Sequence, residues 1–163
     1  MLLIEKLSNS KIRKSLLALA VSILAYTSSG LSTLEAAILN VPSQYSTIQS
    51  AVNNANDGDE IIVAQGRYLE NININGKDII LRSTNPTNLN TIAQTIIDGD
   101  QKGSVVTFKG DESTSCTLEG LTITNGKAQY GGGINGNATR SLIQNNKITN
   151  NYSEYVGGGN SYV

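Results

Sequence analysis

The sequence predicts an all-β protein: a coil of short strands stacked in parallel, closed at its N-terminal end by one short α-helix. Three observations carry this. The region after the first 37 residues is rich in asparagine, glycine and threonine, with few aromatics and two prolines, the composition of many short strands joined by many turns. Two stretches near the C-terminus, CTLEGLTITNG (116–126) and SLIQNNKITNN (141–151), agree in character at a shift of 25, and the glycine triplets Gly131–Gly133 and Gly157–Gly159 follow at a shift of 26. A repeat of that length marks a solenoid or array, and the unit contains no helical periodicity.

The chain has 163 residues, room for one domain of ordinary size. Its first stretch stands apart. Lys6, Lys11, Arg13 and Lys14 make a basic start, Leu16 to Tyr26 form an apolar run of eleven, and small and polar residues follow. That order is the layout of a secretory signal peptide over residues 1–37, cleaved somewhere between Thr27 and Ile38. Eleven residues fall well short of the roughly 20 that span a bilayer. The sequence therefore predicts an exported protein, secreted or at the cell surface, with no membrane span once the signal is removed.

The mature part, 38–163, carries eight Lys/Arg against eleven Asp/Glu, near −3, which gives no basic face for nucleic acid. The chain has no histidine, so imidazole bases and zinc–histidine sites are excluded. The single cysteine, Cys116, rules out an intramolecular disulfide framework and reads as a small buried residue.

The helix is expected over about 46–56. Ser46-Thr47-Ile48-Gln49 has the form of a capping box. Ile48, Ala51, Val52 and Ala55 recur on one apolar face, and Asn56-Asp57-Gly58 ends the helix. That face is the lid a solenoid needs over its first coil. After it, strand-like runs are read at 60–64, 71–75, 78–82, 95–98, 104–108, 117–124 and 141–149, with no further helix. Asn-Gly and Asp-Gly between runs would usually mark antiparallel hairpins, but the repeat argues for parallel stacking. Stacked at about 4.8 Å, Leu118 over Ile143 and Ile123 over Ile148 form inward aliphatic columns. Asn125 over Asn150 forms a corner, where asparagine tolerates left-handed backbone. The glycine triplets mark positive φ or close backbone approach. Residues 60–115 do not align to one period.

The stretch STIQSAVNNANDGDEIIVAQGRYLENININGKDIILRS (46–83), with TIIDGD (95–100), LEGLTITNG (118–126) and GGGI (131–134), resembles the right-handed parallel β-helix proteins of the pectate-lyase-like superfamily, above all bacterial exported proteins with such repeats. The opening is also similar to the start of pectin methylesterases. The resemblance covers roughly 46–160 and implies the handedness, a Ca²⁺-assisted chemistry in the lyase branch, and extracellular polysaccharide as partner. Activity does not transfer with the fold. Of the acids Asp98, Asp100, Asp111, Glu112 and Glu119, only Asp98-Gly99-Asp100 forms a metal-like pair. It supplies too few of calcium's six to eight oxygens, and an Asx turn is the simpler reading. Asp111-Glu112 reads as a solvated turn. Arg82, Arg140 and Lys147 are the candidate bases, with Arg82 a surface or edge charge. No strand-borne aspartate pair one coil apart, as esterases and hydrolases use, occurs within 116–151.

Tyr130, Tyr152, Tyr155 and Tyr162 cluster around the glycine triplets. They read either as aromatics that stack on sugar rings or, more simply, as side chains packed over bare glycine backbone. Asn137-Ala138-Thr139 and Asn151-Tyr152-Ser153 match the glycosylation pattern. The expectation is a β-helix module that is not catalytic as it stands and is associated with extracellular polysaccharide. The alternatives are a surface or adhesin-like structural solenoid, or a truncated polysaccharide lyase or esterase. Nothing in the sequence covers the last coil, so further coils or another chain are expected there. The chain is expected to produce no unsaturated-product absorbance from polygalacturonate with calcium; clear turnover would overturn the non-catalytic reading.

Overall fold

The computed structural model describes residues 35–136, 138–156 and 161–162; residues 1–34 of the expected signal peptide and the second glycine triplet lie outside them. Among the described residues the protein is mostly β, with parallel strands throughout save one pair. Strand β1 (Ile38–Val41) is followed by helix α1 (Ile48–Asn54). Then come β2 (Glu60–Val63), β3 (Gly66–Leu69), β4 (Ile72–Asn73) and β5 (Ile80–Ser83). Helix α2 (Leu89–Gln94) precedes β6 (Thr95–Asp98), β7 (Val106–Phe108), β8 (Thr117–Glu119) and β9 (Thr122–Thr124). The chain continues through β10 (Lys127–Tyr130), β11 (Ile134–Gly136), β12 (Leu142–Gln144), β13 (Lys147–Thr149), β14 (Tyr152–Val156) and β15 (Ser161–Tyr162).

The chain visits its sheets in rotation. One sheet has the order β1-β2-β5-β8-β12, a second β15-β13-β9-β6-β3, a third β11-β7-β4, and β10 pairs with β14. Because successive passes pair in register, like residues stand in columns. Leu39, Ile61, Leu81, Leu118 and Ile143 form the column of the first sheet. Ile97, Ile123 and Ile148 form that of the second, and Ile72, Val106 and Ile134 that of the third. The early members are fully buried, while Ile143 and Ile148 at the last pass are partly buried against the same core. The pairs Leu118/Ile143 and Ile123/Ile148 thus stand as the repeat required. The earlier passes have no common period because Glu60 pairs with Ile80, whereas Ile80 pairs with Thr117. The longer pass carries α2 and two loops.

Helix α1 buries Ile48, Ala51 and Val52, with Ala55 just past its end, and it packs on β1, β2 and β4. Its start differs from the capping-box expectation. Thr47, not Ser46, is the N-cap, and its hydroxyl accepts the N–H of Ser50 at 3.1 Å. The N–H groups of Ile48 and Gln49 donate to the two carboxylate oxygens of Glu70, both at 2.9 Å. Gln49 instead reaches across to the backbone of Asn73, accepting from its N–H at 2.7 Å and donating to its carbonyl at 3.1 Å. At the other end the Lys77 ammonium donates to the carbonyls of Val52, Asn53 and Ala55. A carboxylate at the helix start and an ammonium at its end both match the helix dipole. Both come from the following pass, beyond the reach of a local sequence signal.

Two other expectations change. Helix α2 was not anticipated; it is short and polar, buries only Thr91 and Ile92, and is capped by the Asn88 side chain, which accepts the Thr91 N–H at 3.0 Å. The last pass is not wholly uncovered, since β15 runs antiparallel on β13, pairing Lys147 with Tyr162 and Ile148 with Ser161.

The clamps on α1 have a measurable weight. Glu70→Ala is expected to lower unfolding free energy by about 1–3 kcal/mol in denaturant titration, because two helix N–H groups lose a charged acceptor. A change at exposed Gln65 should stay within about 0.5 kcal/mol.

Candidate functional site

Tight corners carry the chain from sheet to sheet. Asn125 and Asn150 both adopt left-handed backbone, with φ of 57° and 55°, at the end of β9 and β13. One corner earlier, Gly120 and Asn145 do the same at 69° and 55°. Beside each of the corner asparagines of the last pass, Asn145 and Asn150, sits a buried one. Asn146 accepts the Leu121 N–H at 3.0 Å and donates to the Leu118 carbonyl at 2.7 Å. Asn151 accepts the Gly126 N–H at 2.8 Å and donates to the Ile123 carbonyl at 3.0 Å. These side chains tie the last pass to the one before. The sequence reading chose Asn125 and Asn150 and missed Asn146 and Asn151; the doubled Asn-Asn at each corner was the available signal.

After the Asn125 corner, β10 leads into the first glycine triplet. A Cβ on Gly126 would stand 1.8 Å from the Gly132 carbonyl oxygen, and one on Gly132 would stand 2.0 Å from that of Tyr152. Such crowding admits glycine alone. The backbone of Tyr152, not its ring, therefore closes on the glycines. The rings of Tyr130, Tyr152 and Tyr155 stand 57%, 56% and 66% exposed. Tyr130 and Tyr155 adjoin at 5.3 Å between centroids with planes tilted by 31°, and the Lys127 ammonium lies 6.0 Å from the Tyr152 ring centre. The Tyr162 side chain lies outside the described residues.

A cleft of about 370 Å³ opens beside these strands, lined by Gln101, Asn125, Gly126, Lys127, Asn150, Tyr152 and Glu154. Three of the side chains named in advance, Asn125, Asn150 and Tyr152, meet there. Tyr130 and Tyr155 lie further along the same two strands. Gln101, Lys127 and Glu154 were not singled out, because only the pairing of β10 with β14 brings them together. A larger cavity of about 530 Å³ lies beside α2, lined by Leu89, Ile92, Ala93 and Lys147 among others.

The remaining polar candidates have structural partners. Asp98 is buried; it accepts the Asp100 N–H at 2.9 Å and the Asn125 side-chain amide at 2.9 Å, and it pairs with Arg67. Burial pushes its carboxyl upward, but these three donors outweigh burial and hold it below the usual carboxylate range. Asp100 turns to Lys102 at 2.6 Å. Among the described residues no group of three or more acidic, cysteine or histidine side chains gathers as a metal would need. Asp111 is exposed, but Glu112 corrects the solvated-turn reading. It is 2% exposed and accepts the N–H groups of Lys109 at 2.7 Å, Gly110 at 2.8 Å and Gly76 at 3.1 Å. Burial raises its carboxyl and the backbone donors more than reverse that. Arg82 is half-buried and pairs with Glu60. Cys116 is buried, and burial raises its thiol. Of the two glycosylation patterns, Asn151 is 9% exposed with its amide engaged at both atoms, and Asn137 lies outside the described residues.

Over 125 residues the chain is 32% identical to a cell surface glycoprotein of Methanothermus fervidus, a stretch covering 74% of this chain and 19% of that protein. The chain thus spans about a fifth of the length of the curated relative it matches. No family model matches it, and no solved structure does. Among the described residues no helix is long and apolar enough to cross a membrane.

Asn151→Ala is expected to cost about 2 kcal/mol or more, since the Gly126 N–H and Ile123 carbonyl lose their buried partner, whereas Tyr152→Ala should cost under about 0.5 kcal/mol. The pH dependence follows from three depressed carboxyls. Asp59, held down by the N–H groups of Asn56 and Ala37, joins Asp98 and Glu112. Each folded-state value lies below its unfolded value of about 4, so its contribution is present above pH 4 and is lost as pH falls through the folded value. Thermal melts should be flat from pH 7 to about 5 and fall steeply below 4; Glu112→Gln should weaken that acid dependence.

Proposed function

We propose that this chain is part of an exported surface protein, in which residues 36–156 wind as a right-handed parallel β-helix that serves as a structural and contact module rather than a catalyst. The observation that carries this is the rotation of the chain through the same sheets with columns of like residues in register. A coiled solenoid is the arrangement that generates such columns without hairpins. Right-handed crossover between parallel strands is the rule. The similarity to a cell surface glycoprotein supports placement at the surface, as does the basic, apolar and small-residue order of the first 37 residues.

The non-catalytic reading rests on how the buried and strand-borne acids are used. Asp98 and Glu112 accept backbone and side-chain hydrogen bonds that hold corners together, and Glu119 accepts from Gln144 at 2.7 Å. A general acid or nucleophile needs a carboxylate whose oxygens face a substrate.

The test is made on intact cells of a bacterial host expressing the full chain. Added protease should remove the protein without lysis, and the recovered product should begin between Thr27 and Ile38. A protected chain that retains Met1 and its basic start would overturn the surface reading. Circular dichroism dominated by helix would overturn the β-helix.

A further inference from the structure

We propose that the cleft beside β10 and β14 is a saccharide-binding site that takes a neutral glycan chain laid along the two strands. The inference rests on the surface reading only for where the ligand is met; the binding itself is a property of this face.

Three exposed tyrosines on two adjacent strands make an aromatic surface of the kind that serves contacts. Tyr130 and Tyr155 adjoin at 5.3 Å and make a platform of two rings, with Tyr152 at the cleft itself. Aromatic faces are electron-rich and attract polarised C–H groups, which a pyranose presents on its flat sides. The cleft wall supplies the complementary chemistry for hydroxyls. Gln101 brings an amide that both donates and accepts, and Tyr152 brings a phenol. The volume of about 370 Å³ lies in the range of roughly 300–1,000 Å³ typical of small-ligand sites.

The charge pattern selects the ligand class. Lys127 and Glu154 bring one charge of each sign to the same cleft, which leaves no net charge to attract a polyanion or a polycation. A nucleic acid would require an excess of basic residues. A neutral polyol chain is what the Gln101 amide, the absence of net charge and the tyrosine rings fit together.

The close backbone packing beneath makes the site rigid. Gly126 and Gly132 admit no side chain, and the Gly126 N–H is held by Asn151. The tyrosines stand on a fixed ribbon, which lowers the ordering cost of binding.

The experiment measures binding of cellohexaose, chitohexaose, mannohexaose and polygalacturonate to the full chain by calorimetry. Tyr152→Ala, Tyr155→Ala and Tyr152→Phe are the variants, and unchanged melting temperatures check their folding. The proposal expects at least one neutral hexasaccharide to bind in the micromolar to millimolar range. Each alanine variant should weaken it about tenfold or more, and Tyr152→Phe less than about threefold. Three results overturn the proposal: no neutral hexasaccharide binds, binding is indifferent to the alanine changes, or polygalacturonate alone binds. Concentration-dependent self-association abolished by Tyr155→Ala would also overturn it, by showing that a second copy occupies the face. None of these results touches the surface reading, which protease accessibility decides separately.

Discussion

Parallel pairing between successive passes of the chain is the interaction on which everything else here depends. It saturates the strand backbone, but only where the strands run. At each corner the chain turns away from its neighbour and leaves N–H and C=O groups without a ladder partner. A buried backbone group left so costs about as much as a lost hydrogen bond. The protein meets this demand with side chains that reach exactly one pass. Asp59 takes the Ala37 N–H, Glu70 those of Ile48 and Gln49, Asp78 that of Ser113, Asn146 that of Leu121 and Asn151 that of Gly126. Pairing fixes the columns, and the staples fix the corners.

That division explains what could be read in advance. A column requires only like residues at one shift, so Leu118 with Ile143 and Ile123 with Ile148 were legible from the repeat, and with them the parallel sheets. The lid face of α1 was equally plain, because periodicity is a local property. What stayed hidden is non-local. Glu70 and Lys77 hold the ends of a helix more than twenty residues before them, so a capping box at Ser46 was inferred where Thr47 and Glu70 do the work. Glu112 looked like a loop carboxylate beside Asp111; two of its three N–H donors, from Lys109 and Gly110, are local, but only the fold brings that of Gly76 and buries the group. Helix α2 escaped because its single buried pair is too small for a periodic signal.

The candidate site shows the same split. The tyrosines and the corner asparagines were visible as types, and the glycine triplet as a crowded spot. Their convergence depends on β10 lying beside β14, with Lys127 opposite Tyr152 and Ala128 opposite Ser153. Glycine's role is indirect: it lets the backbone draw so close that the larger side chains are turned outward. A ribbon that seals its inner side with bare backbone is left with an outer side rich in rings, amides and charges of both signs.

The staples also differ in kind along the chain. In the early passes they are carboxylates, Asp59, Glu70, Asp78 and Glu112; at the last pass they are the amides of Asn146 and Asn151. An amide has no proton to gain in acid, whereas the depressed carboxyls of Asp59 and Glu112 do. Acid below about pH 4 therefore reaches the staples of the earlier passes and leaves those of Asn146 and Asn151 untouched.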